Sequence, residues 1–364
     1  AAVEILHYMT KYMTDLVEES LFPTYSYMRI YNKDSFLIKH TDRPACEISA
    51  TVHLGSDKEW SMGVERPITR ARSKVNLKPG DEIIVTNQDH EANISPWRKL
   101  EQIGAKIIEW QFNKKTHELE IDKLKSIICK KTKILAVTHC SNIVGSINNL
   151  KNISDIAHEY GTIVIGDGVS YAPHGFPDVK ELGVDFYTFS LYKTYGPHLA
   201  LMYGKEEILK NLPNQNHEFL DGEYPYTLNP GGPNHEELTS LIGIYEYFND
   251  LYKHHFNDDE ESILKKIEKI NILISQHEEE VGNIFLNHIN SKKNIKLIGQ
   301  KQISNKNRAP TFSFTVDDQT SKDISKILVS NKIATRNDNF YAWRCLKYLG
   351  IDTNDGVIRI SMAH

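Results

Sequence analysis

The sequence predicts an α/β protein in which a mostly parallel sheet is flanked by helices. Two observations predict this fold class. Short apolar runs alternate with helical patterns between residues 82 and 203, and polar residues directly follow several of these runs. Strands that alternate with helices form βαβ units, which make neighbouring strands parallel. Ligands of such sheets bind beyond the carboxyl ends of the strands, so the polar residues found there are the first candidates for a site.

The elements follow from these patterns in chain order. Residues 1–20 carry apolar positions at helical spacing, and a turn at 78–81 precedes the first clear strand. The first set of strands is predicted at 82–86, 106–110, 134–138, 162–165, 186–190 and 199–203, with helices at 97–103, 121–129 and 153–160. The second set has helices at 238–252, 263–286 and 321–329, and strands at 295–298, 311–316 and 357–361.

The wider spacing of the second set indicates a smaller α+β domain at the carboxyl end. We therefore expect an N-terminal helical segment at 1–30, a large α/β domain at 31–250 and a small α+β domain at 251–364.

Composition excludes several classes of function. The 364 residues carry a net charge of −5 with both signs interleaved, which does not suit a nucleic-acid partner. No apolar stretch reaches the length of a membrane span. The four cysteines (Cys46, Cys129, Cys140 and Cys345) are far apart, which argues against a disulfide framework or a zinc site. We therefore expect a cytoplasmic protein without a metal centre.

Lys193 is the most informative residue, because it lies between two apolar runs that we expect to be buried strands. Burial disfavours an ammonium and lowers its pKa, which makes a lysine a nucleophile or a former of Schiff bases. A lysine that merely extends from a strand end is the ordinary alternative. His90, Asn142 and Asp167 also follow predicted strands, so all four residues are expected at one edge of the sheet.

An aromatic nitrogen ring, an amide, a carboxylate and an amine together suit a planar cationic cofactor. Pyridoxal phosphate requires a lysine for its Schiff base and a carboxylate to keep its pyridine nitrogen protonated. Neither a GxGxxG nor a GxxxxGK[ST] motif is present, so a dinucleotide site and a P-loop are not indicated, and the HExxH pattern is also missing.

The motifs around these residues resemble those of a known family. The segments at 166–174 (GDGVSYAPH) and 185–197 (DFYTFSLYKTYGP) resemble the cofactor-lysine region of class V aminotransferases, in their cysteine desulfurase-like subgroup. The segments at 87–97, 138–146 and 357–361 resemble the stacking-histidine, asparagine and carboxylate-arginine segments of the same family. This resemblance implies the pyridoxal-phosphate fold of type I, with a seven-stranded type of sheet, and a homodimer that acts on a small amino acid.

The resemblance also implies a role for each matching residue. Lys193 would form the Schiff base and move the α-proton, Asp167 would pair with the pyridinium nitrogen, and His90 would stack on the ring. The remaining positions would contact the phenolate oxygen (Asn142, Ser170), the phosphate (Ser190, Ser56) and the substrate (Arg359, Arg336). The expected activity is carbon–sulfur lysis or sulfur transfer.

Two departures from the family pattern keep other activities open. Tyr341 stands where such desulfurases carry the cysteine that takes up sulfur, and Asp57 and Glu59 lie in the expected phosphate loop, where they would repel a phosphate. A class V aminotransferase or epimerase and a non-catalytic relative are therefore the alternatives.

Overall fold

A computed structural model describes residues 77–223, 226–229, 231–258, 260, 262–304 and 306–362. The predicted helical segment at 1–30 and Ser56 lie outside these residues. Of the described residues, 212–232 belong to one compact unit, which contains 3-10 helices at Glu218–Leu220 and Tyr226–Leu228. The others belong to a second unit with two sheets, described below.

The larger sheet has six strands in the described part of the chain, in the spatial order β2-β1-β3-β4-β5-β6. β1 to β5 are parallel and β6 is antiparallel to β5. The strands are β1 (Glu82–Thr86), β2 (Lys106–Trp110), β3 (Thr132–Thr138), β4 (Ile163–Asp167), β5 (Phe186–Ser190) and β6 (Ala200–Gly204). This confirms the predicted α/β class with a mainly parallel sheet.

Nearly all side chains of β1 and β3 are buried, on both faces of the sheet. This burial explains why the sequences of these strands are near-continuous apolar runs. β6 differs from the prediction. It was expected to be buried, but Leu201 is 40% and Met202 46% exposed. In the described residues β6 is the edge of the sheet and has β5 as its single neighbour.

The smaller sheet has the order β7-β8-β10-β9 and is antiparallel. Its strands are β7 (Ile295–Ile298), β8 (Thr311–Val316), β9 (Arg336–Asp338) and β10 (Val357–Ser361). The β9 strand was not predicted, because three polar residues carry no alternating apolar pattern.

The helices pack mainly through single apolar stripes. For example, the apolar face of Leu150–Glu159 is buried, and the Asn149 side chain caps this helix by accepting the Asn152 N–H at 3.1 Å. The helices are α1 (Ser95–Arg98), α2 (Ile121–Ile127), α3 (Leu150–Glu159), α4 (Val179–Leu182), α5 (Glu206–Leu209), α6 (His235–Ser240), α7 (Ile242–His255), α8 (Ile263–Asn290), α9 (Ser321–Ser330) and α10 (Trp343–Leu349).

The helix predicted at 238–252 is two helices, α6 and α7, which meet at Leu241. No helix in the described part of the chain combines the length and the hydropathy that are required to cross a membrane.

Candidate active site

Asp167 is the last residue of β4, at the carboxyl edge of the larger sheet. The main chain holds it from both sides, because its carbonyl accepts the His139 N–H at 2.8 Å and the following Gly168 N–H donates to Thr188 at 2.8 Å. Gly168 permits this path, since a Cβ there would lie 2.2 Å from the Tyr187 ring. Asp167 is therefore fixed between two neighbouring strands.

The surroundings of the Asp167 carboxylate leave its charge only partly compensated. Burial raises its pKa, while the Val169 N–H, at 2.9 Å from Oδ1, and the charge of Lys193 lower it. Within the described ranges no side-chain cation lies within ion-pair distance of this carboxylate. A positively charged N–H group of a ligand would therefore supply the ion-pair partner that the Asp167 carboxylate lacks there.

Lys193 ends the 3-10 helix Leu191–Lys193, directly after β5. The Thr194 hydroxyl and the Gly196 N–H both donate to the Leu191 carbonyl, at 3.0 and 2.9 Å, and so fix this turn. The Lys193 residue is exposed, which differs from the prediction of a lysine between two buried strands, and the strand that follows it, β6, is itself exposed at Leu201 and Met202. Partial desolvation nevertheless lowers the pKa of its ammonium, as does the charge of Arg359, while Asp167 acts in the opposite direction.

His90 precedes the 3-10 helix Glu91–Asn93 and caps it, because its Nδ1 accepts the Ala92 N–H at 3.1 Å. This bond assigns the ring proton to Nε2. Burial lowers the pKa of His90, and the charges of Lys193 and Arg359 lower it further. The ring is therefore neutral at pH 7, as stacking on a flat cationic group requires.

Asp89 is a buried carboxyl beside His90 that the sequence reasoning missed. It accepts hydrogen bonds from the Thr86 hydroxyl and from Asn93 Nδ2, the latter at 2.8 Å. Burial raises its pKa well above the ordinary value, and the charge of Asp167 acts in the same direction. The sequence signal that could have identified Asp89 is its position between the end of β1 and His90. Its contacts fix the segment that carries His90.

Asn142 and Arg359 are in direct contact. Arg359 Nη1 donates to the Asn142 carbonyl at 3.1 Å, and Asn142 Nδ2 donates to the Phe340 carbonyl at 2.8 Å. Asn142 Oδ1 is buried and has no hydrogen-bond partner among the described residues. The amide nitrogen carries two hydrogens, so its bond to Phe340 leaves a second N–H for the predicted contact of Asn142 with a phenolate oxygen.

Arg359 lies on β10, and its guanidinium lies 3.8 Å from the centroid of the Phe340 ring. Burial lowers its pKa to about 10, helped by the charge of Arg336 and opposed by Asp338, so it is charged at pH 7. Arg336 is its register partner on β9, so both arginines are on the same face of the smaller sheet.

The structure thus brings Lys193, Asp167, His90, Asn142 and Arg359 together through contacts or electrostatic influence. Ser190 ends β5, and Ser170 lies three residues beyond the end of β4, so both are at the same edge. Their predicted roles toward a cofactor stay predictions, as does that of Ser56.

The thiols of the described residues are either buried or at the opposite edge of the sheet. Cys140 and Cys345 are buried, and burial raises the pKa of Cys140 to about 12 and that of Cys345 further. Cys129 precedes β3, at the opposite edge of the sheet from Lys193. Tyr341, at the predicted thiol position, has its ring centroid 5.2 Å from that of His90.

These residues fit the ring end of pyridoxal phosphate. Among the described residues no side-chain cation pairs with the Asp167 carboxylate, and Lys193 is an amine with a lowered pKa. His90 offers a neutral ring to stack on the cofactor, and Arg359 offers a guanidinium to a carboxylate.

Comparison with known proteins identifies the family. Residues 68–262 match the model of the family described as Aminotransferase class-V. The chain is 35% identical over 296 residues to the aminotransferase-like protein FGM3 of Gibberella zeae, which covers 80% of this chain and 70% of that protein. It is 30% identical over 334 residues to a cysteine desulfurase of Yersinia pestis, covering 86% of this chain and 76% of that protein.

Among solved structures, the cysteine desulfurase CsdA of Escherichia coli superposes with a TM-score of 0.66 at 26% identity, covering 80% of this chain and 69% of that chain. This likeness confirms the predicted fold of type I. The match to the family model and these identities show that the chain belongs to the class V aminotransferase family.

Proposed function

We propose that this chain is a pyridoxal-phosphate-dependent enzyme that acts on a small α-amino acid by a cysteine desulfurase-like reaction. The observation that carries the proposal is the meeting of Lys193 and Asp167 at one sheet edge, where the charges of Lys193 and Arg359 also reach His90. The desulfurases and the aminotransferase-like protein named above support this reaction class.

Some of the described residues would contact the cofactor ring, and others would contact the amino acid. Asp167 would hold the proton of the pyridine nitrogen, and His90 would hold the ring flat. Arg359 would bind the α-carboxylate as a bidentate pair, which fixes the amino acid for reaction. Lys193, whose lowered pKa favours the neutral amine, would take and return the proton of the α-carbon. Bound pyridoxal phosphate supplies an electron sink for that carbon.

The fate of the sulfur distinguishes two versions of the reaction. In elimination, cysteine and water give pyruvate, ammonia and hydrogen sulfide, and no thiol acceptor is needed. In desulfuration, cysteine and an acceptor thiol give alanine and a persulfide, so the acceptor takes the sulfur atom. Because the described thiols are buried or on the opposite edge, the acceptor in this version would be an external thiol or Cys46, which lies outside the described residues.

Transamination or epimerisation is the second candidate, and the tyrosine at the predicted thiol position favours it. Products separate the candidates. Alanine with persulfide, or pyruvate with sulfide, supports sulfur chemistry. Exchange of the amino group with a keto acid supports transamination, and inversion of the α-carbon supports epimerisation.

The decisive test is whether Lys193 binds the cofactor. Purified protein with added pyridoxal phosphate should acquire a visible absorption band, and Lys193→Ala should lose that band and all turnover. Lys205→Ala, which removes a lysine at the other edge of the sheet, is the matched control and should keep both. A Lys193→Ala protein that retains the band would sink the proposal, and bound cofactor without turnover of any amino acid would leave a non-catalytic relative.

The proposal extends to a homodimer in the cytoplasm. Its support is the exposed apolar surface on β6 and α7, where Leu201, Met202, Ile242 and Tyr245 are all exposed. Light scattering on the purified protein measures its mass directly, and a monomer at micromolar concentration would contradict this part.

A further inference from the structure

The turn at residues 339–342, called here the aromatic turn, has an unusual backbone. Phe340 and Tyr341 are both in the left-handed region, with φ of 51° and 57°. Residues with a Cβ avoid this region, and two in succession are rarer still. Such strain persists where the surroundings determine it, and it concentrates at functional sites.

Site residues hold the aromatic turn in place. Asn142 Nδ2 donates to the Phe340 carbonyl at 2.8 Å, and the Glu91 N–H, next to His90, donates to the Tyr341 carbonyl at 2.7 Å. Within the turn, the Tyr341 N–H donates to Asn339 Oδ1 at 3.0 Å. The two segments that supply a stacking ring and an amide to the site therefore also fix this turn.

The two rings of the turn reach different parts of the site. The Phe340 ring lies against the Arg359 guanidinium, with 3.8 Å from the guanidinium carbon to the ring centroid. The Tyr341 ring lies beside His90 at a tilt of 40° and is 70% exposed. Packing does not explain an aromatic side chain that is exposed on a strained backbone beside a polar site.

We propose that the aromatic turn determines which amino acids the site accepts. Phe340 is a positioning residue that holds the Arg359 guanidinium by a cation–π contact. Tyr341 is a specificity-determining residue, whose ring forms a wall beside His90 and limits the side chain of the substrate to a small one. The inference rests on the proposed function, because it concerns the same amino acid.

The test measures amino-acid binding by the change in the visible absorption of the cofactor-loaded protein. Alanine, cysteine, leucine and phenylalanine are titrated into wild type, Tyr341→Ala, Tyr341→Phe and Phe340→Leu. In Tyr341→Ala the affinity for leucine relative to alanine should rise about tenfold, the scale of discrimination by one or two methylenes. Tyr341→Phe keeps the ring and should keep the wild-type order.

Phe340→Leu should weaken the binding of all four amino acids alike, by about threefold, because it removes the cation–π contact with Arg359 and keeps an apolar side chain against the core. Hydrogen exchange of the Glu91 amide, measured without cofactor, reports whether the turn is intact. Tyr341→Gly gives a second truncation that adopts a positive φ without strain.

Two outcomes overturn the inference. If wild type responds to amino acids and both truncations leave their order unchanged, the wall is absent and the proposed function stands. If the wild-type absorption band responds to no amino acid, the proposed function fails and this inference fails with it.

Discussion

Asp185 and Asp167 are carboxylates at opposite edges of the same sheet, and their surroundings differ in kind. Asp185 precedes β5 at the amino edge and is only 5% exposed. Lys205 Nζ lies 2.7 Å from one carboxylate oxygen, and the Val164 N–H and His158 Nε2 lie 2.7 and 2.9 Å from the other. Among the described residues, the Asp167 carboxylate, at the carboxyl edge, accepts one hydrogen bond, from the Val169 N–H.

The pKa directions follow from these contacts. For Asp185, burial raises the pKa, but the hydrogen bonds from Lys205, Val164 and His158 outweigh burial, so the net pKa is lowered. For Asp167, burial prevails and the net pKa is raised. A carboxylate whose partners come from the protein stabilises the fold, whereas one that lacks a cation suits a ligand that brings the cation.

The largest effect is expected from removing the charge at the carboxyl edge. Asp167→Asn cannot hold a proton on the pyridine nitrogen by charge, so turnover should fall by roughly a hundredfold to a thousandfold. Steady-state rates on the cofactor-loaded protein measure this fall. Asp185→Asn is the matched control and should keep the wild-type rate. Equal losses in both variants would show that the two edges do not differ in function.

Most strands of the two sheets could be predicted from the sequence, because buried strands are continuous or alternating apolar runs. β1, β2, β5, β7, β8 and β10 have the predicted bounds. The break at Leu241 was missed, since the apolar period of α6 continues into α7 across it. Local patterns therefore located buried strands well and interruptions poorly.

The site was predictable only where a strand end determines position. His90, Asn142, Asp167 and Lys193 follow strands, and the topology of a parallel sheet brings such residues together. The contact between Phe340 and Arg359 depends on how the aromatic turn folds, and that turn is fixed by hydrogen bonds from Asn142 and Glu91, far away in the sequence. Lys193 is exposed in the turn that follows β5. No pattern near Phe340 or Lys193 encodes these facts.

A smaller effect is expected at the amino edge, on stability alone. Asp185→Asn replaces a carboxylate that receives three hydrogen bonds, one of them from a lysine, so the free energy of unfolding should fall by about 2 kcal/mol. Urea unfolding followed by circular dichroism measures it. Asp155→Asn, in an exposed pair with Lys151, is the control and should lower stability by less than about 0.5 kcal/mol. A loss at Asp185 no greater than at Asp155 would mean that its partners contribute no more than a surface pair.

The smallest effect concerns pH and has opposite signs at the two edges. The folded pKa of Asp185 is lowered, so its stabilisation is present above the unfolded pKa of about 4 and is lost as the pH falls through the folded value. The folded pKa of Asp167 is raised, so its ionisation destabilises the cofactor-free fold as the pH rises from about 4 through the folded value. Cofactor-free Asp167→Asn should therefore be more stable than wild type at pH 7, with a difference that shrinks toward pH 4. Urea unfolding at a series of pH values measures this, and an Asp167→Asn protein that is less stable than wild type at pH 7 would show that the carboxylate is already satisfied without a ligand.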